Sequence, residues 1–100
     1  MKTAEAVKAL SALAQESRLE VFRLLVRTGP DGIAAGELSD KLGLPPATMS
    51  FHLKELTNAG LISSRRESRS IIYSANYKQM QTLIDFLLEN CCAESGGKCK

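Results

Sequence analysis

The chain has 100 residues, 44% of them hydrophobic, and 13 basic against 11 acidic side chains leave a net charge of +2. That length suits one small domain with a modest core that a partner subunit would extend, and the near-balanced charge excludes nucleic-acid binding by bulk charge, leaving only local placement of Lys and Arg. No apolar run approaches the ~20 residues that span a bilayer, and the start Met1-Lys2-Thr3-Ala4-Glu5 lacks a signal peptide's apolar stretch, so a cytoplasmic protein with no membrane partner is expected.

In chain order, Val7, Leu10, Leu13 and Ala14 recur at helical spacing and predict a first helix over residues 3–15. Ser17 is placed to cap a second helix, Arg18 to Thr28, whose Leu19, Val21, Phe22, Leu24, Leu25 and Val26 make it apolar on most sides, a central core helix. Gly29-Pro30 ends it. A short helix over residues 35–42 follows, then Gly43-Leu44-Pro45 and a longer helix from Pro46 to Ala59. Pro46 suits a first helical position, where its missing N–H has no partner, and Gly60 suits a left-handed cap. A short helix, a tight turn with glycine and a longer helix make the helix-turn-helix layout. Residues 61–74 have apolar, β-branched flanks around a charged middle and predict a two-stranded hairpin whose tip lacks an Asn-Gly signal. From Tyr77 the helical period returns, with Tyr77, Met80, Ile84, Leu87, Leu88 and Cys91 on one face. The domain is thus expected over residues 1–92, with residues 93–100, rich in small and polar side chains, as a flexible tail. The fold class is mainly α with a small β-hairpin, a winged helix-turn-helix of order α-α-α-α-β-β-α.

A helix that reads the major groove must turn its apolar face to the core and small polar side chains outward. In the 46–59 helix, Met49, Leu53 and Leu56 follow the core spacing, while Ala47, Thr48, Phe51, Lys54 and Asn58 lie elsewhere around it. Thr48 and Ser50 can bond base edges or phosphates, and Phe51 can meet a thymine methyl. His52, the one histidine in the chain, borders the apolar stripe and suits a structural or phosphate-contacting role better than metal ligation. Arg65, Arg66 and Arg69 cluster in the hairpin beside Glu67. A basic hairpin directly after a recognition helix is where a winged helix puts arginine into the neighbouring minor groove, whose negative potential is enhanced.

The order of elements, the segment from Thr48 to Leu56 (TMSFHLKEL) with Ala59-Gly60-Leu61-Ile62 behind it, the hairpin ending in Ile72-Tyr73, and Leu13-Ala14 followed by Ser17-Arg18-Leu19 and Leu24-Leu25 together resemble the ArsR/SmtB family of metal-responsive repressors. The resemblance covers residues 5–92. It implies a homodimer paired through the first and last helices, which binds an imperfect inverted repeat in operator DNA and leaves it when an inducer binds. By resemblance Val7, Leu10, Met80, Ile84, Leu87 and Leu88 are the dimer faces; from the sequence alone they equally suit an intramolecular core.

All three cysteines, Cys91, Cys92 and Cys99, lie in the last ten residues. Thiolates select soft metals, and an odd count in a reducing compartment argues against a disulfide framework. Arsenite sensors of the family with a cysteine pair on the first helix of the helix-turn-helix are not matched, since Gly36 to Lys41 contains none, and neither are zinc sensors with histidines on the last helix, since no histidine follows position 52. The chain is similar to the arsenite-responsive subgroup whose adjacent cysteines end the last helix and are joined by a third. Three thiols and no fourth donor favour As(III) or Sb(III) over zinc, which ordinarily takes four ligands. Adjacent residues on a helix point ~100° apart, so Cys91 and Cys92 are expected to point apart without metal and to face one ion only if the helix unwinds there. Packing of Cys91 in an apolar interface, with Cys99 idle, is the plain alternative. A thiol-based redox-sensing repressor would use the same residues. An enzyme such as a cysteine-based arsenate reductase is not expected: it needs an arginine-bearing anion cradle after the cysteine, whereas the sixth residue after Cys92 is Lys98, in the tail.

Overall fold

The computed structural model describes residues 1–96. Helices α1 (Thr3–Leu13) and α2 (Glu16–Thr28) lead into a short strand β1 (Ile33–Ala34), the helix-turn-helix pair α3 (Ala35–Leu42) and α4 (Pro46–Asn58), the hairpin strands β2 (Ile62–Glu67) and β3 (Ser70–Ala75), and α5 (Tyr77–Leu88). None of these helices is long and apolar enough to cross a membrane. The winged helix-turn-helix expected from the sequence is the fold found.

Side chains that sequence periodicity did not weigh move some ends. The first helix stops at Leu13, two residues short of the expected end, with Ala14 as its C-cap. The second is capped not by Ser17, which lies inside it, but by Gln15, whose Oε1 accepts from the Arg18 N–H at 2.7 Å. The longer amide reaches the same free donor that a serine cap would satisfy. Pro46 starts α4 as expected. Past its end, Gly60 takes φ +77°, and the Leu61 and Gly60 N–H groups donate to Leu56 and Thr57 carbonyls at 3.0 and 2.9 Å, the paired bonds of a Schellman cap.

The strand β1 has no counterpart in the sequence reading, since two residues give no period to read. It pairs antiparallel with β3 (Ile33 with Tyr73, Ala34 with Ile72), and the sheet order is β1-β3-β2. Gly32 makes the pairing possible: its φ is +76°, and a Cβ there would stand 2.6 Å from the Tyr73 carbonyl oxygen and from Ile72 Cγ2. Along β2 and β3 the register runs from Ile62 opposite Ala75 to Glu67 opposite Ser70, so the hairpin tip is Ser68-Arg69, with Ser68 in the left-handed region.

The core gathers Val21 and Leu25 of α2, Leu38 of α3, and Met49, Leu53 and Leu56 of α4, closed by Leu61 and Leu83. Into α1 it takes Ala6, Ala9 and Ala12, small side chains that let the α1 backbone lie close. His52 joins the α4 stripe at 6% exposed. Arg18 holds it there. The guanidinium Nη1 lies 3.4 Å from His52 Nδ1, Nε donates to the Ala12 carbonyl at 2.6 Å, and the group sits 5.8 Å from the Phe51 ring centroid. One side chain thus joins the ends of α1 and α2 to the middle of α4.

Gly32→Ala lowers unfolding free energy by ~2 kcal/mol or more, from clash added to a left-handed φ, whereas Gly43→Ala, whose Cβ meets open space, costs ~1 kcal/mol for φ alone; urea titration of both checks it. Burial first, then the Arg18 charge, hold the His52 pKa below its ordinary 6.5. The folded state therefore favours neutral His52, and the stability this contributes is whole above pH 6.5 and is lost as pH falls through the folded pKa. The wild-type melting temperature is expected to fall between about pH 7 and about pH 5, and the fall should be smaller in His52→Gln.

Candidate nucleic-acid interface and thiol pair

With Met49, His52, Leu53 and Leu56 turned inward, α4 exposes Ala47, Thr48, Ser50, Phe51 and Lys54. Phe51 is 55% exposed. A shallow groove runs from this face to the wing, lined by Ser50, Lys54 and Thr57 on one side and Ser64 and Tyr73 on the other. It continues past Gly36 to Arg69 at the wing tip. Recognition helix and wing therefore flank one channel, the arrangement in which a phosphate strand runs between a major-groove and a minor-groove contact.

The three wing arginines do not act as one cluster. Side chains alternate along a strand, so Ser64 and Arg66 share the face of buried Ile62, towards the groove, while Ser63, Arg65 and Glu67 take the opposite face. Arg69 stands at the tip and lines the groove. Arg65 instead reaches back to the turn after α2, donating to the Pro30 carbonyl at 3.3 Å and to that of Asp31. His52, also among the expected DNA contacts, is buried against Arg18. Sequence reasoning missed Arg18 as the residue that orients α4; only its place in the first turn of a helix could have hinted at it.

At the other end of the molecule α5 stops at Leu88, so Cys91 is not on its apolar stripe as the periodicity suggested. The chain leaves the helix through Glu89 (ψ 131°), and Asn90 and Cys92 adopt φ +60° and +62°. The two sulfurs consequently do not point apart. Cys91 Sγ and Cys92 Sγ are 3.4 Å from each other, because the backbone has already unwound where a helix would have splayed them. Among the described residues no group of three His, Cys, Asp or Glu side chains that could hold a metal forms; the expected third ligand, Cys99, lies outside the described residues.

The first and last helices carry the remaining expectation. Val7, Leu10, Ile84, Leu87 and Leu88 are 41–61% exposed, forming apolar surface that α1 and α5 leave bare. Met80 differs: it is half-buried and packs on the protomer's own core.

These features recur in known proteins. A family model described as a helix-turn-helix domain matches residues 13–65. The transcriptional activator HlyU of Vibrio cholerae is 31% identical over 90 residues, 90% of this chain and 81% of that protein. The HTH-type transcriptional regulator YceK of Bacillus subtilis is 36% identical over 78 residues, 78% of this chain and 77% of that one. Among solved structures, an ArsR-like transcriptional regulator from Rhodococcus sp. RHA1 matches with a TM-score of 0.78 at 28% identity, over 93% of this chain and 84% of that one. These relatives are regulators rather than enzymes, which sets the arsenate-reductase alternative aside. A recognition helix packed on its partner, a wing across a shared groove and these sequence matches together mean that the chain belongs to the ArsR/SmtB family of DNA-binding, winged helix-turn-helix transcriptional regulators.

Proposed function

We propose that the protein is an arsenite-responsive repressor, a homodimer that holds an inverted-repeat operator and leaves it when Cys91, Cys92 and Cys99 bind As(III). The observation that carries this reading is the 3.4 Å approach of the Cys91 and Cys92 sulfurs directly beyond α5. Each thiol replaces one hydroxide of arsenous acid and releases one water, so three thiols complete the ion without any change of oxidation state. Sb(III) has the same chemistry and would serve as well. Ala47, Thr48, Ser50, Phe51 and Lys54 would enter the major groove, and Arg66 and Arg69 the neighbouring minor groove.

The bare apolar side chains of α1 and α5 support a dimer whose seam contains the helix that ends at the thiols. A ligand that fixes this end in one arrangement changes the spacing of two recognition helices across the seam, and a fixed operator spacing penalises that change. Coupling between inducer and operator is then ~1–3 kcal/mol and reciprocal.

The test uses a duplex selected from a random-sequence pool by the wild-type protein, with binding followed by fluorescence anisotropy under anaerobic, reducing conditions. Sodium arsenite is expected to release the wild type, and Cys91→Ser and Cys92→Ser should need ~10-fold or more arsenite. Release of either variant at the wild-type concentration would sink the three-thiol reading, and release only after an oxidant is added would replace it with a redox switch. Separately, Leu87→Glu with Leu88→Glu is expected to give a monomer by light scattering and to weaken operator binding at least ~10-fold, since each half-site contact then acts alone.

A further inference from the structure

Arg65 is the wing arginine whose donors are already committed. Its Nε donates to Glu67 Oε2 at 2.5 Å, its Nη1 to the Pro30 carbonyl at 3.3 Å, and its Nη2 to the Asp31 carbonyl. We propose that Arg65 is a positioning residue for DNA binding: it clamps the wing to the turn after α2 and so sets where Arg66 and Arg69 stand, without touching the duplex.

The register explains why the clamp falls at this position. Arg65 is opposite Ile72, and Ile72 is in turn opposite Ala34, the last residue of β1. Arg65 thus stands on the last rung that three strands share. Beyond it, residues 66–71 form a bare two-stranded ribbon, and such ribbons are poorly stable alone and twist readily. The angle at which the ribbon leaves the body decides where its tip meets a duplex. Gly32, pressed against the Tyr73 carbonyl and Ile72, fixes the same turn to the sheet on the β3 side, so Arg65 supplies the matching anchor on the β2 side.

The partner carboxylate strengthens the case. Glu67 is the acidic residue of the wing, and a free carboxylate beside phosphates would repel them. Bonded to Arg65, it lies on the strand face opposite Arg66, away from the groove. A lysine could not reproduce the arrangement, because one ammonium cannot span two carbonyls and a carboxylate as the guanidinium fork does.

Affinity for the selected duplex, measured over a salt series, separates positioning from contact. Arg65→Ala is expected to weaken binding about tenfold, Arg65→Lys to weaken it as much, and Arg65→Ala to add nothing in a protein that already carries Arg66→Ala and Arg69→Ala. Melting curves confirm that each variant is folded, and Arg65→Lys, which keeps charge and stem, serves if Arg65→Ala is not. A phosphate contact would give the opposite pattern: recovery by lysine, an additive loss in the double-alanine protein, and a salt slope lower by about one. Any of those results overturns the proposal, as does unchanged affinity in Arg65→Ala. The proposal rests on the wing meeting DNA, and that reading fails on its own if Arg66→Ala and Arg69→Ala leave affinity unaltered.

Discussion

The structure depends on how α4 is held, since a recognition helix must be buried along one side and bare along the other. Met49, Leu53 and Leu56 are at most 2% exposed, and burying each such side chain contributes ~1.5–3 kcal/mol. That stripe fixes the rotation of the helix about its own axis but leaves sliding and tilt open, because apolar contacts are non-directional. Direction comes from Arg18. Its bonds to the Ala12 carbonyl and His52 make one tilt of α4 satisfy all the polar groups involved, and burial of an unpaired imidazole or carbonyl disfavours the others. Thr48, Ser50 and Lys54 inherit their aim from this arrangement.

The same small core explains the surface of α1 and α5. A chain of this length has little interior, and α1 spends its inward positions on Ala6, Ala9 and Ala12, leaving Val7 and Leu10 outside. In α5 Leu83 is buried while Ile84, Leu87 and Leu88 are not. A monomer optimised alone would place the larger side chains inward, because they gain more from leaving water. The inverted choice makes physical sense when a second apolar surface covers the outer side chains and the alanines serve close helix approach.

Much of this was legible in the residues. The apolar stripe of α4, the proline at its start and the glycine after its end are local signals, and each specified its element within a residue or two. What escaped was tertiary in origin. The two-residue strand β1 exists because β3 offers an edge and Gly32 allows the approach. Gln15 caps α2 although serine is the stronger statistical cap. Arg65 reads as one of three wing arginines until strand parity and the position of Pro30 and Asp31 separate it. The family resemblance supplied the assembly and the thiol subgroup; periodicity supplied neither, and it misplaced Cys91 by running α5 past its actual end.

That misplacement bears on how a thiol site could act at a distance. Coupling between two sites needs an element with two arrangements of similar energy, not a chain of contacts that have one. On the arsenite reading the segment after Leu88 would be that element. Asn90 and Cys92 hold left-handed conformations without being glycine, each at a cost of ~1–2 kcal/mol, and residues 89–91 are exposed. Continuation of α5 through these residues would relieve both left-handed positions and swing the sulfurs ~100° apart about the helix axis; the present turn keeps the sulfurs together and accepts the backbone cost. A ligand that requires adjacent thiols selects the turn, and one less turn of helix remains beside Leu87 and Leu88. On the arsenite reading the inducer therefore acts by fixing the length of α5 at a seam, and the coupling it can exert is bounded by the difference in its affinity for those two lengths.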